Sequence, residues 1–141
     1  MDITTRDGNK TRMSGKISAS TFGAKLMIEG PLVKLKENGS TSMSYLVTGK
    51  TSYLPYTSKY LYRYADTAGL PFGYGDVYGK MSVNTNNGSK LSFFGFNFND
   101  KVEYAGISTF KWNSVGGGSS FVLIPGSSST LVEGNFSYSQ Y

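Results

Sequence analysis

The chain has no cysteine and no histidine. Disulfide frameworks and thiolate chemistry are therefore excluded, and a nucleophilic triad or a zinc site lacks its usual donors. Charged residues make up only 16% of the chain, which is not the composition of a disordered, highly charged tail. The net charge of +5 is spread without a basic run, which argues against a nucleic-acid partner. No apolar run approaches the ~18 residues that a membrane helix needs. That leaves the closed β-barrel, whose strands carry a much weaker signal, as the way such a chain would cross a bilayer. The N-terminal MDITTRDGNKTR has no apolar core and does not read as a secretory signal. With 141 residues, the chain is one domain's worth or a piece of something larger.

What is present is the vocabulary of strands and turns. Aromatics reach 15% and glycines number 18, alongside abundant Ser, Thr and Asn. Period-two alternation runs through most of the chain. Residues 12–20 set Met13, Ile17 and Ala19 against Ser14, Lys16, Ser18 and Ser20. Residues 22–30 set Phe22, Ala24, Leu26 and Ile28 against Gly23, Lys25 and Glu29. Residues 41–51 set Met43, Tyr45 and Val47 against Ser44, Thr48 and Lys50. A Tyr-rich, Pro-punctuated excursion at 52–75 breaks the pattern and holds one short helical turn around Ser58 to Tyr64. Alternation resumes at 76–84, with Met81 and Val83 opposed by Lys80, Ser82 and Asn84, and Asn87-Gly88 turns the chain. The return limb, 90–98, carries Phe93 on one face and Phe94, Phe96 and Phe98 on the other. A connection over 99–107 precedes a long strand at 108–124, interrupted by Gly116-Gly117-Gly118, where a kink, a bulge or a close neighbour is expected. A turn at 125–129 leads to a last strand at 130–141.

The sum is all-β, an antiparallel up-and-down meander of about seven strands. The links on one side (31–40, 85–89, 125–129) are short, and those at 52–75 and 99–107 are longer. Seven of the eleven tyrosines lie between 53 and 78, where an interfacial aromatic girdle would sit beside the longest loop. The facial expectation is specific. Met13, Ile17, Ala24, Leu26, Ile28, Met43, Val47, Met81 and Val83 share one surface, and Lys16, Lys25, Glu29, Lys50 and Lys80 share the opposite one.

Catalytic motifs do not assemble. VTGKTS ends like a phosphate loop, but Ser44 stands where that loop needs a glycine and Lys50 lies on a strand. The nine carboxylates (Asp2, Asp7, Glu29, Glu37, Asp66, Asp76, Asp100, Glu103 and Glu133) are scattered, with only Asp100 and Glu103 near each other in a loop. No enzymatic activity, cofactor, metal or catalytic residue is expected, and ligand-binding residues are not assigned.

Four strings in order carry a family resemblance: Asp2 to Asn9 (DITTRDGN), Glu29 to Pro31 (EGP), Lys50 to Leu54 (KTSYL) and Asp76 to Lys80 (DVYGK). The chain resembles the start of the barrel in TonB-dependent outer-membrane receptors, in the Bacteroidetes-type group with a carboxypeptidase-regulatory-like domain. KLSFFGFNFND and LVEGNFSYSQY are similar to that group's strands too. The resemblance implies that 1–10 are the end of a plug and 11–141 the N-terminal part of a transmembrane β-barrel. It implies an outer-membrane location and a parent that imports a scarce nutrient. The implied partners are outer-membrane lipid, the plug and remaining strands of that parent, and TonB acting through it. The alternative is a small soluble all-β module binding an apolar or carbohydrate ligand.

Overall fold

A computed structural model describes residues 6–34, 41–61, 71–104, 108–126 and 130–141. Alternating side chains, β-branched and aromatic residues and Gly/Asn turns organise the chain into seven strands and one short helix. In chain order these are β1 (Ser14–Ala19), β2 (Gly23–Val33), β3 (Ser42–Ser52), α1 (Leu54–Leu61), β4 (Phe72–Asn84), β5 (Lys90–Tyr104), β6 (Ser108–Leu123) and β7 (Val132–Gln140). The strands form one sheet in sequence order, and each pairs antiparallel with its chain neighbour. The sheet is not closed: β1 and β7 each have a single partner.

Turn chemistry explains the short links. Gly88, at φ +87°, lets Thr85 and Ser89 close the β4–β5 hairpin, where the Thr85 N–H donates to the Ser89 carbonyl at 2.9 Å. This hairpin is tied to the end of β6, because Asn87 Nδ2 donates to the Ile124 carbonyl and the Ile124 N–H donates to Ser89 Oγ. At the opposite end, Thr57 Oγ1 on α1 donates to the Thr21 carbonyl at 2.8 Å and fixes the helix to the β1–β2 turn. Pro31, with no N–H to offer, coincides with a register shift between Pro31 and Val33, so β2 continues past the EGP string through a bulge.

Paired residues in an antiparallel sheet share a face, so the registers sort the side chains. One face carries Ile17, Ala24, Leu26, Ile28, Met43, Val47, Met81, Val83, Phe93 and Phe136. The other carries Lys16, Lys25, Glu29, Lys50, Lys80, Ser44, Ser82, Ser92, Phe94, Phe96 and Phe98. Both expected sets fall as the alternation predicts, except that Met13 lies before the start of β1 and takes no place in the register. The polarity of burial is inverted relative to a water-soluble sheet. The one buried hydrophobic among the described residues is Leu46, while Glu29, Ser42, Ser44, Lys80, Ser82 and Ser92 are all buried. Ile17 is 77% exposed and Phe136 71%.

Several boundaries differ from expectation. The helix is Leu54–Leu61 rather than a turn centred on Ser58 to Tyr64, and residues 62–64 lie outside the described residues. β4 begins at Phe72, four positions before the DVYGK string. The expected connection over 99–107 is mostly strand, because β5 pairs with β6 without a break from Lys90–Val122 to Tyr104–Ser108. Asp100 and Glu103 consequently stand on opposite faces of one strand, not together in a loop. Gly116 to Gly118 do not interrupt β6, whose register is unshifted there. They are a close approach: a Cβ on Gly116 would lie 2.7 Å from the Phe96 ring, and one on Gly118 2.9 Å from the Phe94 ring. The rings of β5 cover bare backbone on β6, an aromatic filling the space of a missing side chain. Of the expected girdle, Tyr74 and Tyr78 are on the lysine-bearing face, so they form no outward belt.

Candidate functional site

The polar face is occupied by the chain's own N-terminal segment, residues 6–12, here termed the strap. Asn9 shapes its exit into β1: its side-chain oxygen accepts from the Thr11 N–H and hydroxyl, both at 3.0 Å, and from the Arg12 N–H at 3.2 Å. Gly8 lies so close to β3 that a Cβ would fall 2.0 Å from the Tyr45 carbonyl oxygen. Only glycine fits that contact.

Two ion-pair sets hold the strap. Arg6 Nη2 donates to both Glu29 carboxylate oxygens, the exposed guanidinium lying over a buried carboxylate. Asp7 accepts from Lys80 at 2.9 Å, Lys90 at 2.7 Å and Ser82 Oγ at 3.0 Å, joining the strap to β4 and β5. Burial works to raise the Asp7 carboxyl, but the hydrogen bonds from Lys90 and Lys80, the Lys80 charge and the Ser82 hydroxyl outweigh it and hold it at about 2. Because the folded value lies below the ordinary 3.8, the stabilisation is present above about pH 4 and is lost as pH falls towards 2. The shift sets an upper bound of about 2 kcal/mol on that contribution. Asp7→Asn removes the charge facing two lysines, and it is expected to cost about 1–3 kcal/mol and to flatten this acid dependence. Urea midpoints of the full-length protein and its variant, both refolded into the same vesicles, between pH 7 and pH 2 check this, and parallel curves would contradict it.

A serine row runs beneath the strap. Ser44, Ser82, Ser92 and Ser120 are successive cross-strand neighbours from β3 to β6, and Asn135 continues the row on β7. Small hydroxyl side chains let the strap backbone approach the sheet. The cost shows at Ser42 and Ser44, whose buried hydroxyls have no hydrogen-bond partner. Towards β7, beyond the strap, a concavity of about 550 Å³ opens between Tyr78, Phe94 and Phe96 on one side and Glu133 on the other.

The apolar face also changes character along the strands. On β4 it is Val83, Met81 and Val77, and on β5 Leu91 and Phe93, but beyond that β5 presents Asn97, Asn99 and Lys101, paired with Val115, Asn113 and Lys111 of β6. At ~3.3 Å per residue the apolar stretch from Val83 to Val77 is roughly 20 Å long. The β5–β6 hairpin thus projects past the apolar band with a polar outer surface, where Lys101 pairs with Glu103 at 2.5 Å. In the same projection the opposite face carries Tyr74, Phe98, Phe110 and Trp112, each at least 37% exposed.

Sequence reasoning placed Lys50 on a strand wall, and it is there, opposite Lys25 on β2 and Asp76 on β4. It missed the Asp7–Lys80–Lys90 cluster. Asp7 and Ser82 are 75 positions apart, and no local periodicity links them. Among the described residues, no group of three or more potential ligands could hold a metal ion. Comparison of the chain with family models, curated proteins and solved structures finds no match.

Proposed function

We propose that the chain is part of the wall of an outer-membrane β-barrel of the TonB-dependent receptor type, with the strap as the end of a plug. In this reading it acts in nutrient uptake and not as an enzyme. The observation that carries the proposal is the inverted polarity. Serines, a lysine and a glutamate are buried, while Ile17, Leu26, Val47, Val77, Met81, Phe93 and Phe136 face outward as a continuous surface. Water penalises that arrangement, whereas hydrocarbon on one side and a filled lumen on the other favour it.

Three further features support it. β2 and β3 have 11 residues each and β4 has 13, enough to cross a bilayer at a tilt. The apolar band is bounded by polar residues at the α1 end, as a membrane boundary requires. Strand direction supplies the third. β1 and β7 point the same way in an antiparallel meander of seven, so a seam between them would be parallel. An up-and-down barrel needs an even number of strands, which calls for an odd number more. A soluble ligand-binding module fits poorly, because it would need an apolar core and Leu46 is the one buried hydrophobic among the described residues.

The test is fractionation of the natural full-length gene product. It is expected in the outer membrane, resistant to extraction with carbonate and carrying a plug ahead of the DITTRDGN string. Recovery in a soluble fraction would refute the reading.

A further inference from the structure

The link between β4 and β5 carries Asn87-Gly88-Ser89, in which a side-chain amide precedes a residue without a Cβ. That order has a chemistry of its own. The Gly88 backbone nitrogen is unshielded and can attack Asn87 Cγ when the chain brings the two together. The N–Cγ bond forms, the proton lost from nitrogen passes through solvent to Nδ2, and the Cγ–Nδ2 bond breaks to release ammonia. Water then opens the five-membered imide. Cleavage of the new N–Cγ bond leaves aspartate. Cleavage at the main-chain carbonyl leaves isoaspartate, with the side-chain methylene now in the backbone. Water is the co-reactant, and nothing is oxidised or reduced.

In the folded sheet both reacting groups are engaged elsewhere. The Gly88 N–H donates to the Thr85 carbonyl at 3.2 Å, closing a turn with Asn86 and Asn87 at its centre. The Asn87 amide is held at both ends. Its oxygen accepts from the Ser89 N–H at 3.1 Å and from the Thr85 hydroxyl. Its Nδ2 donates to the Ile124 carbonyl at 3.1 Å, and the Ile124 N–H donates back to Ser89 Oγ at 2.9 Å. Gly88 packs on the same residue, since a Cβ there would stand 2.9 Å from Ile124 Cδ1. Ring closure requires the amide carbon to turn onto the Gly88 nitrogen, which breaks these contacts together. Asn87 is exposed, so water reaches it and the restraint is one of geometry.

We propose that Asn87 is a deamidation site that the closed hairpin shuts off. Chains in which the β4–β5 turn is open convert it to aspartate or isoaspartate, and chains in which the turn is docked on Ile124 do not. Conversion then hinders closure. Either product loses the donor that Asn87 Nδ2 offers to the Ile124 carbonyl and sets a carboxylate against that oxygen instead. Isoaspartate also adds a backbone atom to the turn, which alters the spacing on which the Thr85–Ser89 pairing rests. The site thus marks chains that have spent time with the hairpin open. The inference does not depend on what the apolar face meets.

The chain supplies its own control, because Asn38-Gly39-Ser40 repeats the same tripeptide. The full-length protein is held at mildly alkaline pH, folded in vesicles and unfolded in urea, and peptide mapping by mass spectrometry follows both sites. In urea the two sites are expected to react at similar rates. Folded, Asn87 is expected to react at least about tenfold more slowly than in urea, at a rate that follows the fraction of open hairpins. Thr85→Val removes the hydroxyl bonded to Asn87 Oδ1 and to the Ser89 carbonyl. It is expected to raise the folded rate by roughly three- to tenfold. Asn87→Asp stands in for the product and is expected to speed hydrogen exchange of the Thr85 and Ile124 amides by about tenfold. A smaller slowing on folding, an unchanged rate in Thr85→Val, or undiminished amide protection in Asn87→Asp overturns the inference.

Discussion

In buffer without detergent the isolated chain is expected to elute as aggregate on size exclusion and to show no cooperative melt. In non-ionic detergent it is expected to elute as a small protein–detergent species of high β content. Two features of the sheet drive this. The first is the open apolar face, where Ile17, Leu26, Val47, Met81 and Phe93 run across β1 to β5 and Phe136 stands beyond Ser119 on β7, each of these apolar residues more than 40% exposed. An uncovered patch of that extent is an association surface in water. The second is the pair of edges on β1 and β7, whose unpaired N–H and C=O groups are templates for strand addition. Curling until the edges met would give a parallel seam and would still leave the apolar face outward. A monodisperse, cooperatively melting monomer in plain buffer would count directly against the membrane-barrel reading.

A second large effect is expected from charge placed on one face but not on the other. Leu26 and Met27 are adjacent on β2 and point to opposite sides. Leu26 lies beside Ile17 and Gly49 on the apolar face, and Met27 beside Lys16 and Thr48 on the polar one. Leu26→Lys in the full-length protein is expected to lower folding stability in vesicles by roughly 2–4 kcal/mol, the cost of a lysine on the lipid face near the bilayer midplane. Met27→Lys should cost about 1 kcal/mol or less, since that face already carries charge and hydroxyls and is shielded from lipid. Denaturant titrations of the two variants refolded into the same vesicles decide the matter. Equal losses, or a larger loss at Met27, would show that the faces have been assigned the wrong way round.

In the barrel reading the α1 end, with the long β3–β4 link and the β5–β6 projection, is the outer rim. The Asp7 cluster is set deeper, where the strap crosses the sheet.

How much of this was written in the chain can be judged residue by residue. The period-two alternation of Met81, Val83, Lys80 and Ser82 was enough to assign strands and faces, because a side chain's face is settled by parity alone. The Asn87-Gly88 turn was equally local, since it rests on the one backbone conformation that Gly88 supplies. With an all-antiparallel meander, these local signals determined the topology too. What they could not determine was which face is buried; the strap lying on Glu29, Ser44 and Lys80 decides that. Nor could they anticipate the unbroken β6. Three successive glycines read as an interruption until the Phe94 and Phe96 rings of β5 are seen covering them, a contact made across strands and invisible to any local window. Asp7 meeting Lys80 and Lys90 depends in the same way on register. Register is the cumulative result of every turn and bulge between the partners, so only the assembled sheet decides it.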